Sequence, residues 1–321
     1  MRKKATQLRT QMTALSFAGV FLICFLIALM AGESTKRALV DRAEQDAGAM
    51  LTQVIHNLEY YLDDMEKLAA LSNVQSSVLR MLVNDTDIGR SQSQYYENSQ
   101  QVRSILTDLS RLRPEITSIS VVGRNGSLAD TASNLFATTQ ATEDWLAWYA
   151  AAMESDGRSI FLPPHQITDT YGRAQSVISL TRPIIISRGA KPLGAILINL
   201  STDTLAEICG GAVAGESGYI FIVDKAGNYI YHPDPAYKGT SLLPTSMPDD
   251  AIKRIALSGQ DSFALGDRLV LSAAIDGPGY RVIYTMPRAM ITGAADRQRA
   301  LQILFGAIAS AVIALRRRRS A

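Results

Sequence analysis

The side chains that could carry acid–base or metal chemistry are few and far apart in this sequence. Its three histidines, His56, His165 and His232, are separated by long stretches of chain. Neither a GxSxG elbow around a nucleophilic serine nor a glycine-rich phosphate loop of the Walker type occurs. His232 lies close to Asp234, but a metal site requires further ligands at matched spacing, and the sequence supplies none. We therefore expect no enzyme activity, no cofactor and no metal centre.

Binding is the chemistry that the remaining candidate residues suit. Trp148 and Tyr149 each offer a flat apolar face and a polar edge, which fits the wall of a small-molecule pocket. Core packing of a short helix is the alternative for both residues. Asn199 interrupts an otherwise apolar strand (AILINL), and a buried asparagine needs hydrogen-bond partners from a ligand or from a neighbouring loop.

Two apolar runs lie near the ends of the chain. Residues 14–31 are apolar almost without interruption and follow a basic segment, and a run of about 18 such residues is long enough to cross a bilayer. A cleaved signal peptide, the alternative, usually has a shorter apolar part. Residues 301–315 form a second, shorter run closed by arginines at 316–319, for which a buried or interfacial helix is the alternative. The positive-inside rule then predicts two spans with both termini in the cytoplasm and residues 33–299 outside.

A long helix is predicted from residue 33 to about residue 83, and we call it the stalk helix. Its apolar residues recur mostly at spacings of three and four, as expected for a helix with one buried face. A helix of more than about 25 residues is typical of a coiled coil or of packing along a partner. We therefore expect a homodimer formed through the stalk helix. Two ordinary helices broken near Asn73 are the alternative.

The rest of the outer region reads as two modules with antiparallel strands. The first has predicted strands at 116–123, 176–186 and 193–200, with helices at 102–112 and 145–153. The second has strands at 219–224, 228–232, 267–275 and 280–287, with a helix at about 249–257. Turn signals such as Asn125-Gly126 lie between neighbouring strands. The pattern predicts an α+β fold.

These segments resemble a double Cache (dCache) sensor domain, as found in sensor histidine kinases and methyl-accepting chemoreceptors. The residues that carry the resemblance are WLAWYAAAM at 145–153, VISLTRPI at 177–184, LGAILINLS at 193–201 and SGYIFIVDKAGNYIYHPD at 217–234. The resemblance implies a long N-terminal helix that carries two PAS-like antiparallel-sheet modules, one membrane-distal and one membrane-proximal. In such a receptor the two modules are flanked by two transmembrane helices.

The resemblance also implies that a small ligand binds in the distal module. Members that bind amino acids hold the ligand carboxylate with an arginine two residues before a Trp-Tyr pair, and the amino group with an aspartate on the last strand of that module. Leu146 and Asn199 occupy those positions here, so an α-amino acid is not the expected ligand. The loop before the central strand is implied to face the ligand, although a solvated loop is the alternative for its residues. The candidate ligand-binding residues are Trp148, Tyr149, His165, Gln166, Asp169 and Asn199.

The predicted layout is a cytoplasmic N-terminus (1–10), a first transmembrane helix (11–31), the stalk helix (33–83), a distal module (84–210), a proximal module (211–290), a second transmembrane helix (300–315) and a cytoplasmic tail (316–321). In this layout the chain is a ligand sensor of the plasma membrane that signals through its second span to an output domain outside these residues. Its expected partners are a small molecule, membrane lipid and a second copy of the chain. A net charge of +2 gives no reason to expect nucleic acid. A cell-envelope binding protein that transmits no signal is the alternative.

Overall fold

The computed structural model describes residues 2–71, 78, 92–124, 126–131, 139–168, 174–187, 189–212, 218–234, 237 and 248–319. The helices are α1 (Arg2–Leu71), α2 (Gln92–Leu112), α3 (Thr139–Glu154), α4 (Thr202–Ala212), α5 (Pro248–Leu257) and α6 (Arg288–Arg319). The strands are β1 (Ile116–Gly123), β2 (Leu128–Asp130), β3 (Ile160–Thr168), β4 (Ala174–Ile184), β5 (Gly194–Ser201), β6 (Tyr219–Val223), β7 (Tyr229–Tyr231), β8 (Ser262–Leu265), β9 (Arg268–Ala274) and β10 (Arg281–Pro287).

The strands form two antiparallel sheets, in agreement with the predicted α+β class. The first has the order β2-β1-β5-β4-β3, and the second has the order β7-β6-β10-β9-β8. In each sheet the neighbouring outer strands are consecutive in the sequence, whereas the pairs β1–β5 and β6–β10 join strands that are far apart in the chain. The prediction of a long N-terminal helix and two such sheets is confirmed.

Two compact units divide the chain. One comprises Met1–Ala49, Ala264–Leu269 and Met286–Ala321, and the other comprises Met50–Phe263 and Val270–Thr285. The first sheet lies wholly within the second unit, together with α2, α3 and α4. Every residue of the candidate site therefore belongs to one unit.

The helix α1 contains most of the predicted stalk. Its buried residues between positions 47 and 69 recur at spacings of three and four, because that spacing returns side chains to one face of a helix. The described helix ends at Leu71, and the predicted break near Asn73 lies outside the described residues. Among the residues that the structure describes, no helix combines the length and the apolar composition needed for a bilayer crossing.

The structure contains several elements that the prediction from the sequence missed or placed differently. The second helix begins at Gln92 rather than at 102, since a polar segment can be helical when a few buried residues such as Val102 and Leu106 anchor it. The strands β2 and β8, of three and four residues, and the eleven-residue helix α4 were not predicted. The most consequential difference is β3, because it contains residues that the sequence assigned to a loop.

Candidate ligand-binding site

One face of the first sheet carries a row of polar side chains across three strands. Ser118 of β1 pairs with Asn199 of β5, and Asn199 pairs in turn with Ser179 of β4. Since paired residues in a sheet point to the same side, the three side chains lie next to one another. All three are buried, with exposed fractions of 1%, 3% and 0% in that order. A row of buried polar groups is costly unless its members are hydrogen-bonded.

Direct hydrogen bonds connect this row. The amide of Asn199 donates from Nδ2 to Oγ of Ser118 at 2.8 Å, and the hydroxyl of Ser179 donates to Oδ1 of Asn199 at 2.5 Å. His165 extends the row to a fourth strand, with 3.3 Å between its Nε2 and Oγ of Ser179. Nδ1 of the same imidazole lies 3.0 Å from the carbonyl oxygen of Pro163. We call Ser118, Asn199, Ser179 and His165 the polar row.

The position of His165 and Gln166 corrects the sequence prediction of a loop. Both residues belong to β3, where His165 pairs with Val177 and Gln166 pairs with Ser176. Prolines cannot donate to a strand ladder, but β3 is an edge strand and its register shifts between Leu162 and His165, so the strand accommodates Pro163 and Pro164.

Because strand neighbours alternate between faces, His165 joins the polar row while Gln166 points to the other face and is exposed. Asp169 lies outside the described residues. The structure therefore separates two residues that the sequence had treated as one binding segment.

Aromatic side chains of α3 cover the apolar part of the same sheet face. Trp148 packs in a buried cluster with Val122, Ala195 and Leu197. Tyr149 is half-buried, and its ring stacks on that of Trp145 with centroids 5.5 Å apart. Burial raises the pKa of the Tyr149 phenol, against the opposing attraction of a guanidinium at Arg124.

The hydroxyl of Tyr149 is buried and has no hydrogen-bond partner among the described residues. A buried hydroxyl without a partner is costly, which makes this group available to a ligand. Trp148, in contrast, is 5% exposed and is held by core contacts. Its ring supports the site by fixing α3 against the sheet.

The resemblance described above implies charged residues at positions 146 and 199 in members that bind amino acids. Here these positions hold Leu146 and Asn199, and the two side chains differ in environment. Asn199 lies in the middle of the polar row, whereas Leu146 is 53% exposed on the outer side of α3. The region therefore has neutral hydrogen-bonding groups at its centre and no basic group at position 146.

Sequence reasoning missed Ser118 and Ser179 as members of the site. The segment ITSISVVG was predicted as a strand with no statement about its serines, and the structure shows that Ser118 and Ser120 are both buried. Ser120 donates to the buried carboxylate of Asp130 on β2 at 2.9 Å. The one available signal was an asparagine in an apolar strand. Its serine partners can be identified only when the strand pairing is known.

A cleft separate from the polar row lies where β3 and β4 approach β7. Its empty space, part of which is open to solvent, is about 270 Å³, and its lining residues are Pro164, Ser176, Thr202, Tyr229, Ile230, Tyr231, His232 and Tyr237. His232 accepts a hydrogen bond from the backbone N–H of Asp234 at 2.9 Å, and its ring stacks on Tyr237 with centroids 3.9 Å apart. These contacts favour a structural role for His232. Within the described part of the chain, no group of three potential metal ligands comes together.

Comparison with known proteins agrees with this architecture. A family model described as a Cache domain, dCache_1, matches residues 33–295. No curated protein matches the chain in sequence.

Solved structures with the same fold include receptor domains from two named bacteria. The ligand-binding domain of the Pseudomonas fluorescens chemoreceptor CtaA, in complex with L-isoleucine, superposes with a TM-score of 0.56 at 17% identity, over 81% of this chain and 98% of that one. The sensory domain of the Campylobacter jejuni chemoreceptor Tlp3, with isoleucine bound, gives a TM-score of 0.54 at 14% identity, over 80% and 98% of the two chains.

A further similar structure is the extracellular domain of vpHK1S-Z8, described as a candidate histidine kinase. It has a TM-score of 0.56 at 11% identity and covers 79% of this chain and 98% of its own. Identities this low show a shared fold, and the ligands belong to those proteins.

Proposed function

We propose, since this chain belongs to the dCache_1 family of Cache domains, that it is the extracytoplasmic ligand-sensing part of a membrane receptor. The observation that carries the proposal is the polar row of the first sheet. Four buried or half-buried polar side chains are aligned across four strands of one sheet. A tyrosine hydroxyl without a partner among the described residues lies on α3, whose aromatic residues pack against the same sheet. Interior positions of a strand are ordinarily apolar, so such a concentration of hydrogen-bonding groups suits a binding site.

The proposed ligand is a small molecule other than an α-amino acid. Recognition of an α-amino acid requires a cation for its carboxylate and an anion for its ammonium group. Leu146 and Asn199 provide neither charge at the two positions that the family uses. The side chains Asn199, Tyr149 and His165 instead offer hydrogen-bonding groups, and with Trp148 they remain the candidate ligand contacts.

The membrane anchor is the second part of the proposal. Two spans at 11–31 and 300–315 would place the Cache region outside the cell and couple it to the membrane through α1 and α6. Large apolar side chains on α6 support this placement because they are exposed, namely Leu301, Ile303, Leu304, Phe305 and Ile308. Lipid is the partner that such a surface fits. We also propose a homodimer through α1, because a helix of this length is typical of a coiled coil or of packing along a partner. Tyr60 is a large exposed side chain on that helix.

A thermal-shift screen of the full chain in detergent tests the sensing role. Amino acids, organic acids, sugars and nucleobases are added singly, and a ligand that binds only the folded state raises the unfolding midpoint by mass action. A ligand at 100 times its dissociation constant stabilises the protein by about 2.7 kcal/mol. The expected hit lacks the α-amino and α-carboxyl pair.

Variants then locate the hit. N199A and H165Q are expected to abolish the shift, whereas Q166A, on the opposite face of the same strand as His165, is expected to retain it. A hit that persists in N199A and H165Q would overturn the assignment of the ligand site to the polar row. If no compound in the screen shifts the midpoint, the envelope-binding alternative without a ligand signal is favoured instead.

A further inference from the structure

The hydrogen bonds of the polar row constrain the protons that its members carry. A carbonyl oxygen can only accept, so the contact to Pro163 requires a proton on Nδ1 of His165. Oδ1 of Asn199 can also only accept, so the hydroxyl of Ser179 donates its single proton to that oxygen. Ser179 then has nothing to donate to Nε2 of His165, and the contact between them is a hydrogen bond only if Nε2 is protonated as well.

Two proton arrangements satisfy all four contacts, with every proton donated to one acceptor. In the first, His165 is an imidazolium, Nε2 donates to Ser179, Ser179 donates to Oδ1 of Asn199, and Nδ2 donates to Ser118. In the second, His165 is neutral, Ser179 donates to Nε2, and the amide of Asn199 is rotated by half a turn. Nδ2 then donates to Ser179, and Ser118 donates to Oδ1. The side-chain oxygen and nitrogen of an asparagine exchange places in such a rotation without moving the backbone.

From this we infer that the charge of His165 sets the orientation of the Asn199 amide, and with it the group that the polar row offers to a ligand. This inference rests on the proposed ligand site and adds its regulation. With neutral His165, the proton of Ser118 is used within the row, and its oxygen is left to accept from a ligand amine or hydroxyl. With protonated His165, Ser118 accepts from Nδ2, and its proton is left to donate to a ligand carbonyl or carboxylate. Acidification thus changes the preferred ligand from a donor to an acceptor.

The protein surroundings leave His165 as the group that changes charge in the row. Histidine is the side chain that ordinarily gains a proton between pH 5 and 8. Among the described residues of elements packed against β3, the titratable or charged groups are Arg182 of β4, Tyr149 and Glu154 of α3, and Tyr229 and Tyr231 of β7. His232 follows β7, and the ring of Tyr280 contacts Phe161 of β3. Burial raises the pKa of Tyr149 and of Tyr231, so both phenols are neutral throughout this range. The signals of His232 and His165 are told apart in the NMR experiment below, in which each histidine is assigned with its own variant.

Nuclear magnetic resonance of the imidazole groups tests the inference without any ligand. The full chain is labelled at histidine with ¹⁵N and studied in detergent, and its three histidines are assigned with the single variants H56Q, H165Q and H232Q. At high pH the expected signature of His165 is a protonated Nδ1 and an unprotonated Nε2. A protonated Nε2 in neutral His165 would overturn the inference.

Variants at Asn199 test whether the amide and the imidazole are coupled. The carboxylate introduced by N199D can only accept, so it holds Ser179 as a donor, and the titration midpoint of His165 should rise by about 1 pH unit or more. N199L frees Ser179 to donate to Nε2 and should lower the midpoint. Adding S179A to N199D should remove most of the rise, because the remaining effect is only charge attraction through space.

Equal midpoints in the wild type, N199L and N199D would overturn the inference. So would a rise in N199D that S179A leaves unchanged. If a variant fails to fold, the tautomer of neutral His165 in the wild type still tests the inference. Since these measurements need no ligand, their failure is separate from a failure of the ligand screen.

Discussion

Lys36 and Asp296 form an ion pair between α1 and α6, with 3.0 Å between Nζ and Oδ1, although 260 residues separate them in the sequence. Thr292 donates a second hydrogen bond to the same carboxylate at 3.0 Å, and Glu33 lies 3.5 Å from Arg299 a turn further along α6. All five residues belong to one compact unit. In the proposed topology these contacts lie just outside the two spans, where a ligand signal must pass from the Cache region to the membrane.

The first prediction concerns the pH dependence of this ion pair. The hydrogen bonds from Lys36 and Thr292 lower the pKa of Asp296 from its ordinary value. Since the folded-state pKa is depressed, the stabilisation is complete above the ordinary carboxyl pKa and is lost as the pH falls through the lowered value. D296N should therefore unfold at a lower temperature than the wild type at pH 6, and the difference should close on acidification.

Thermal unfolding of the full chain between pH 3 and pH 7 makes this measurement. D276N is the matched control, because Asp276 is an exposed residue in the turn between β9 and β10 and undergoes the same change of charge. A gap between D296N and the wild type that stays constant down to pH 3 would contradict an origin in the ionised carboxylate.

The second prediction separates the core role of Trp148 from ligand contact. Trp148 is packed among buried residues, so W148A should lower the free energy of unfolding by about 3–5 kcal/mol with no ligand present. L146A, two residues away on the exposed side of α3, should change it by less than about 0.5 kcal/mol. Chemical denaturation followed by tryptophan fluorescence in L146A and by circular dichroism in both variants gives the comparison. A cost of W148A below 1 kcal/mol would favour a loosely packed pocket wall instead.

Prediction of this molecule from its sequence succeeded where the signal is local. Alternating apolar residues and turn residues define strands such as β6 and β7, because both depend on neighbours in the chain. The stalk helix has the same basis, since its buried face recurs every three or four residues. The resemblance to the Cache family then supplied the arrangement of the sheets.

The polar row could not be predicted because its members come from four strands. Nothing in the sequence near Ser118 or Ser179 distinguishes a buried serine from a solvated one. Their partner Asn199 is 81 residues from the first and 20 from the second. Likewise, two prolines next to His165 indicate a loop by local rules, and only the edge position of β3 allows them in a strand.

The third prediction concerns the close approach of β1 and β5 at Gly194. A Cβ atom at this position would clash with the backbone carbonyl of Val122, which cannot move without breaking the pairing of the two central strands. G194A should therefore destabilise the fold by about 2 kcal/mol or more, as expected for overpacking against a rigid backbone. G210A is the control, since Gly210 lies in α4 with no atom within 4 Å of an added Cβ. It should stabilise the helix by about 0.5–1 kcal/mol.

Chemical denaturation of both variants decides the third prediction. Similar free energies of unfolding for G194A and the wild type would mean that the strands separate without cost. In that case the polar row, which depends on the same pairing at Ser118 and Asn199, would lose its structural support.

The last prediction tests the structural role of His232. Its ring stacks on Tyr237, and its Nδ1 accepts from the N–H of Asp234. H232F keeps an aromatic ring and removes the acceptor, so it should cost about 1 kcal/mol of unfolding free energy. H232A removes both and should cost about 2–4 kcal/mol, because a cavity forms among the surrounding rings. A metal role predicts instead that a chelator lowers the unfolding midpoint of the wild type to that of H232A. Thermal unfolding of the wild type and both variants, with and without chelator, distinguishes packing from metal binding, and we expect the chelator to have no effect.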